Sequence, residues 1–246
     1  MKLAIMQPYF FPYLGYWQLL NTVDRFVIYD DVNFIKGGWI NRNKILINGN
    51  PSFITVPLVH ASPNKKILDI SLVDEQKKWQ KKLVKTIANT YRNAPFYKEV
   101  FPIVESIIYF DSVNLSDYLC YQLQTLAQFM GIKTKFIVSS RIYGNESLSG
   151  QSRVIDICQR EQADIYINPI GGLPLYDCNT FDKNNIELQF LQMKPINDEQ
   201  CSAPFESNLS IINALMCIGP GEIKKYLGNF DLITPNTSAS IERDGV

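Results

Sequence analysis

The chain has 246 residues, 46% of them hydrophobic and 20% charged, and its 24 lysines and arginines are matched by 24 aspartates and glutamates. That length supports one sizeable core, and a formal net charge of zero provides no global field to draw in nucleic acid or an anionic membrane. No run approaches the roughly 18 apolar residues of a membrane span, and the apolar run Leu3 to Met6 is too short for a signal-peptide core, so a cytoplasmic protein without membrane insertion is expected.

Leu3 to Met6 and Phe26 to Tyr29 are short apolar runs of the kind a buried parallel strand needs, and Leu14 to Val23 between them can form a helix. Lys44 to Ile47 and Phe53 to Pro57, joined by Asn48-Gly49-Asn50-Pro51, predict a β-hairpin, and Lys65 to Ser71 can add a short strand. From Asp74 to Tyr91 the residues Trp79, Leu83, Ile87 and Tyr91 recur at helical spacing, with Lys77, Lys78, Lys81, Lys82 and Lys85 on the other, solvated side. Further helices are expected over 96–110 and over 115–130, the latter capped by Asn114 or Ser116 and stopped by Gly131. Lys135 to Val138, a helix from Ser152 to Gln162 and Asp164 to Ile167 read as a second βαβ unit. A strand at Ile186 to Leu191 and helices at Leu209 to Cys217 and Glu222 to Leu227 follow, with Pro220 opening the last. The polar stretch from Thr234 onward is expected to be disordered. The predicted organisation is one α/β domain over 1–233, with a helical subdomain at about 74–130, and a tail over 234–246.

Cys120, Cys158, Cys178, Cys201 and Cys217 are odd in number and show no C-x-x-C spacing, which argues against both a disulfide framework and a zinc ribbon. Cys178 lies in a loop-like stretch without a nearby histidine and reads as structural rather than nucleophilic. His60 is the sole histidine, so one chain cannot build a multi-histidine metal site, and no metal site is expected. Its position in PLVHASPNKK reads as a solvated loop.

In open α/β sheets ligands sit beyond the carboxyl ends of the strands. At the first such end stands QPYFFPYLGY, stiffened by Pro8 and Pro12, where Gln7 offers a polar group and Tyr9, Tyr13 and Tyr16 offer flat faces with hydroxyls suited to a base or sugar ring. The plain alternative is that these aromatics plug the end of the sheet. Tyr13-Leu14-Gly15-Tyr16 occupies the place of the H-x-G-H motif in nucleotidylyltransferases, with tyrosine at each histidine; tyrosine cannot carry imidazolium charge, which favours recognition over adenylyl transfer. Asp30 and Asp31 at the second strand end can hold a ribose hydroxyl, accept a proton from an amine or bind Mg2+. Lys36, Trp39, Asn41, Arg42 and Asn43 follow, Arg42 as a phosphate fork and Lys36 as a point charge, with a salt-bridged hairpin base as the plain alternative for any one of them rather than for the whole set. Ser139, Ser140 and Arg141, with Gln151 and Arg153 opening the next helix, form a nest suited to an anion, and Asn168 and Tyr176 complete the edge. Neither a P-loop nor a G-x-G-x-x-G fingerprint occurs.

The segments QPYFFPYLGYWQLL, DRFVIYDDVNFIKGGWINRNKI, SSRI, YINPIGG with a following LYD, and FESNLSIINALMCIGPGEI occur in one order over roughly residues 1 to 230 and together resemble the WbqC-like family. The fold expected is α/β, a Rossmann-like, nucleotidylyltransferase-like and mainly parallel sheet with a β-hairpin insertion and a helical middle segment. The resemblance implies a role in bacterial surface-polysaccharide (O-antigen) biosynthesis, transferring an aminoacyl (glycyl) or other acyl group to the amine of a nucleotide-linked amino sugar. In that reading Arg42, Lys36, Ser139, Ser140 and Arg153 hold phosphates, the tyrosines stack on base or sugar, and Asp30 or Asp31 receives the amine proton. ATP with Mg2+ is a candidate cofactor, the nucleotide sugar is the partner, and a homo-oligomer is compatible with the chain. The competing readings are a noncatalytic nucleotide-sugar-binding or scaffold protein and a modifier of nucleotides or DNA bases on the same scaffold.

Overall fold

The computed structural model describes residues 1–73, 77–195 and 208–235. Its centre is a six-stranded sheet of β1 (Lys2–Met6), β2 (Arg25–Ile28), β7 (Lys135–Ile137), β8 (Ile165–Pro169), β9 (Glu187–Met193) and β10 (Phe230–Ile233). The spatial order is β10-β9-β8-β1-β2-β7, every pairing parallel except β9 with β10. Counted by their place in the chain, the sheet strands therefore run 3-2-1-4-5-6, the doubly wound order, with the last strand reversed. The chain builds outward from β1 to β7 and then returns across the sheet to lay β8 on the other side of β1. The predicted βαβ unit over 135–167 is thus a long crossover, because β1 and β2 stand between its two strands.

Alternation along each strand explains why the sheet is covered on both faces. Ala4, Phe26, Ile28, Ile167 and Leu191 point into one core, and Leu3, Ile5, Val27, Tyr166, Leu188 and Phe190 into the other. The first core is closed by α1 (Leu14–Thr22) and by the middle helices α2 (Lys78–Tyr91), α3 (Tyr97–Ile108) and α4 (Leu115–Phe129), with α7 (Ile211–Cys217) and α8 (Pro220–Tyr226). The second is closed by α5 (Gly150–Arg160) and α6 (Cys178–Asp182). Helix α1 buries every residue from Leu14 to Leu20. Only Asn21 and Thr22 at its end reach the surface, so it is an internal helix rather than an amphipathic one.

The predicted hairpin is β3 (Arg42–Ile47) with β4 (Asn50–Thr55), paired Ile47↔Asn50 across Asn48 and Gly49. Both loop residues have positive φ, 51° and 77°, the type I′ geometry whose twist suits adjacent antiparallel strands. Ile45 and Ile54 face the core while Lys44 and Phe53, directly opposed, face outward. The strand predicted over Lys65 to Ser71 is instead a turn of 3₁₀ helix at Ile67–Asp69 followed by β6 (Ser71–Leu72), paired with β5 (Leu58–Val59). The start of the predicted helix at Asp74 and most of the predicted tail lie outside the described residues; α2 begins at Lys78, and β10 occupies Phe230–Ile233. Among the described residues no helix is long and apolar enough to cross a membrane.

Candidate functional site

Beyond Ile28 the chain leaves the sheet through Tyr29, whose N–H still donates to the Met6 carbonyl at 2.8 Å, and turns both following aspartates inward. Asp30 and Asp31 are each 2% exposed. Buried carboxylates need donors, and Asp30 receives them from two distant segments. Ser116, in the first turn of α4, donates to its Oδ2 at 2.6 Å; Ser139 Oγ and the Ser140 N–H, just past β7, donate to its Oδ1 at 2.8 and 3.2 Å. The Asp31 carboxylate accepts the Ser140 hydroxyl and pairs with the Arg153 guanidinium of α5. Arg153 Nε donates to Asn145 Oδ1 at 2.9 Å, Asn145 Nδ2 donates to Asp156 at 2.7 Å, and the guanidinium lies 5.1 Å over the Tyr29 ring. Ser140 touches both carboxylates and so couples the two aspartates.

A cavity of about 720 Å³ opens against this cluster at the carboxyl ends of β2 and β7. Asp30, Ser116 and Ser139 form its polar floor, and Phe110 and Tyr121 one wall, their rings stacked at 3.7 Å and 10°. Asp117, Gln124 and Arg141 bring further polar groups to it. Arg141 forms no ion pair among the described residues. The Cys120 thiol lines the cavity but is pushed up to about 12 by burial and, secondarily, by Asp30 and Asp117. It stays a neutral thiol at physiological pH and is no nucleophile there.

The remaining predicted site residues divide into groups. Tyr16 is fully buried and its hydroxyl donates to the Gln7 carbonyl at 3.0 Å, so it faces the core rather than a ligand. Tyr9, Tyr13, Trp39 and Asn43 border a second cavity of about 530 Å³ that shares no lining residue with the first. Arg42 Nε donates to the Gly38 carbonyl at 3.2 Å, its guanidinium lies 4.3 Å over Phe53, and Lys36 is exposed; neither lines the cavity at Asp30. The predicted anion nest is closed by a carboxylate of the chain itself, because the fork of Arg153 is taken up by Asp31. Gln151 accepts the Asp177 N–H. Asn168 donates to the Tyr166 hydroxyl at 2.8 Å, which lies 3.1 Å from that of Tyr176. His60 is exposed with φ 48°, and Cys178 is partly buried at the start of α6. Cys201 lies outside the described residues.

Sequence reasoning missed Phe110, Asp117, Tyr121 and Gln124 as site residues and read Ser116 only as a helix cap. The cap is Asn114, whose side chain accepts the Asp117 N–H at 3.1 Å and donates to the Leu68 carbonyl at 2.6 Å. The cap signature located this helix start, but nothing local shows that it abuts Asp30.

The donor set does not fit a Mg2+ site between the aspartates. Asp31 is neutralised by Arg153, Asp30 is surrounded by donors, and no group of three or more histidines, cysteines, aspartates or glutamates converges among the described residues.

No solved structure matches the chain. The chain is similar to the uncharacterized protein Rv1507c of Mycobacterium tuberculosis, at 29% identity over 230 residues that cover 92% of this chain and 97% of the relative. The model of the WbqC-like protein family matches residues 7–225, a span that begins just past β1 and holds the Asp30 cluster, both cavities and every helix but the end of α8; the chain belongs to the WbqC-like protein family.

Proposed function

We propose that the protein acts in the assembly of a bacterial surface polysaccharide, binding a nucleotide-linked amino sugar in the cavity beside Asp30 and transferring a glycyl or other acyl group to its amine. The observation that carries this reading is the make-up of that cavity. It joins a stacked aromatic wall, a guanidinium that forms no ion pair among the described residues and two carboxylates within about 720 Å³, a volume in the small-molecule range. Phe110 and Tyr121 suit the face of a base, Arg141 suits the diphosphate, and Asp117 and Asp30 suit the sugar ammonium. In the transfer step the amine nitrogen forms the new C–N bond, the bond between the acyl carbon and its leaving group breaks, and the amine proton passes to a carboxylate. Arg42 and Lys36 have no part in this version, since neither reaches the cavity.

The test is incubation with dTDP-linked 4-amino-4,6-dideoxyhexoses, ATP and glycine, or acyl-coenzyme A, followed by mass spectrometry. A product heavier by the acyl group is expected, lost in Asp117→Asn and Arg141→Gln. Absence of product from every donor combination refutes the transferase. One observation favours a second reading: the oxygens of Asp30 are engaged by Ser116, Ser139 and Ser140, as suits a brace rather than a base. Saturable calorimetric binding of the nucleotide sugar without turnover would establish a noncatalytic binding protein.

A further inference from the structure

The second cavity is built as firmly as the first. It lies beyond the carboxyl end of β1, between Tyr9 to Tyr13, Trp39 to Lys44 and Asn208-Leu209. These three segments are stitched around it: Phe10 N–H donates to the Trp39 carbonyl at 2.9 Å, Asn43 Nδ2 to the Phe10 and Phe11 carbonyls at 3.0 and 2.8 Å, and Ser210 N–H to the Lys44 carbonyl at 2.9 Å. Phe11 holds φ at 42°, a conformation costly for a residue with a side chain and sustained here by its wholly buried ring and by Asn43.

Three properties of this cleft are unused by the fold. The hydroxyls of Tyr9 and Tyr13 have no hydrogen-bond partner among the described residues. Burial pushes both phenols above their ordinary range, so they remain donors. Trp39 leaves 40% of its surface open beside them. Lys44 lines the cleft, and its ammonium, 5.1 Å over the Phe53 ring, has no carboxylate partner among the described residues. Gly15 completes the arrangement: a Cβ there would lie 2.5 Å from the Tyr13 ring, so only glycine lets that ring lie flat against the first turn of α1.

From these features we infer that the cleft is a separate binding site for an acidic sugar, a pyranose ring carrying a carboxylate or a phosphate. The aromatic faces match the C–H face of a pyranose, the paired phenols match its hydroxyls, and Lys44 matches the anionic group. The inference is independent of the chemistry assigned to Asp30, since the two cavities share no residue.

Of the three tryptophans Trp17 is fully buried and Trp79 donates to the Val73 carbonyl at 3.0 Å, which leaves Trp39 as the reporter in the cleft. Tryptophan emission and calorimetry are to be followed while D-glucuronic acid, D-glucose 6-phosphate, D-glucose or AMP is titrated into the full chain. Saturable binding of one or both acidic sugars is expected, at least tenfold tighter than glucose, the stronger of the two identifying carboxylate or phosphate as the recognised group. Lys44→Gln and Tyr13→Phe should each weaken it about tenfold, and Trp39→Phe should remove the emission change. Gly15→Ala should weaken binding while leaving thermal stability intact, and Asp117→Asn should leave it unchanged. Equal affinity for glucose and the acidic sugars, tighter binding of AMP, no saturable response, or insensitivity to Lys44→Gln would each overturn the assignment.

Discussion

Removing Arg153 tests whether the aspartate cluster is held together as described. In Arg153→Leu the Asp31 carboxylate loses its cation and keeps only the Ser140 hydroxyl among its side-chain partners, inside a site where Asp31 is 2% exposed. Breaking a buried pair from one side costs about 3–5 kcal/mol, because the remaining charge is neither hydrated nor compensated. For a chain of this size each kcal/mol moves the melting temperature by about 2–4 °C, so a fall of about 6–20 °C is expected. Asp31→Asn should be destabilising for the converse reason, leaving a buried guanidinium with no carboxylate and only the Asn145 side chain, the backbone carbonyl of residue 31 and the Tyr29 ring beside it. The double variant should be more stable than the sum of the two losses by about 2–3 kcal/mol, since it removes both charges together. Urea unfolding of the four proteins at pH 7 measures the coupling. A loss below about 1 kcal/mol in Arg153→Leu, or strict additivity, would refute the claim that this pair braces Ser140 and, through it, Asp30.

Asn114→Ala removes both a helix cap and the donor to the Leu68 carbonyl, and should cost about 2 kcal/mol in urea unfolding; Asn114→Asp should recover the cap but not the donor, giving an intermediate value. The thiols of Cys120 and Cys158 are both pushed up to about 12 by burial, from an ordinary 9.0. Below pH 9 folded and unfolded chains both carry neutral thiols and stability is flat in this respect; between pH 9 and 12 only the unfolded chain ionises, so stability falls as pH rises. Urea midpoints should therefore decline above pH 9, and midpoints constant to pH 11 would contradict the burial of these groups.

The parts of this fold that were legible in the sequence are those set by short-range chemistry. Asn48-Gly49 gave the hairpin because both positions need positive φ, and the spacing of Leu83, Ile87 and Tyr91 gave the buried side of α2. Strand β10 escaped notice because Asp231 and Leu232 are exposed on an edge, which leaves no buried run to read. The rule that ligands lie past strand ends placed Asp30, Asp31, Ser139 and Ser140 together, and the structure does bring them into contact. The pairing of Asp31 with Arg153 spans 122 residues and carries no periodic signal, so Arg153 was read as open to a phosphate. Tyr16 was misread for a related reason. The polar face of α1, Gln18, Asn21 and Thr22, does not mark the solvent side, since Gln18 is buried against the Tyr226 and Asn229 carbonyls, and only packing shows that Tyr13 faces a cleft while Tyr16 faces the core.

The position of β1 bears on how the chain reaches this state. Its β2 partner follows closely, but Lys2 and Leu3 pair on the other side with Ile165 and Tyr166, roughly 140 residues after β2 ends. At translation speeds of about 5–20 residues per second, that second edge of β1 waits on the order of ten seconds for its neighbour, with its backbone donors and acceptors unpaired. An open edge on a strand as apolar as Leu3 to Met6 invites pairing with other chains. Nascent or truncated forms ending before β8 should therefore be the aggregation-prone species of this protein, and its folding yield should depend on how long that edge stays uncovered during synthesis.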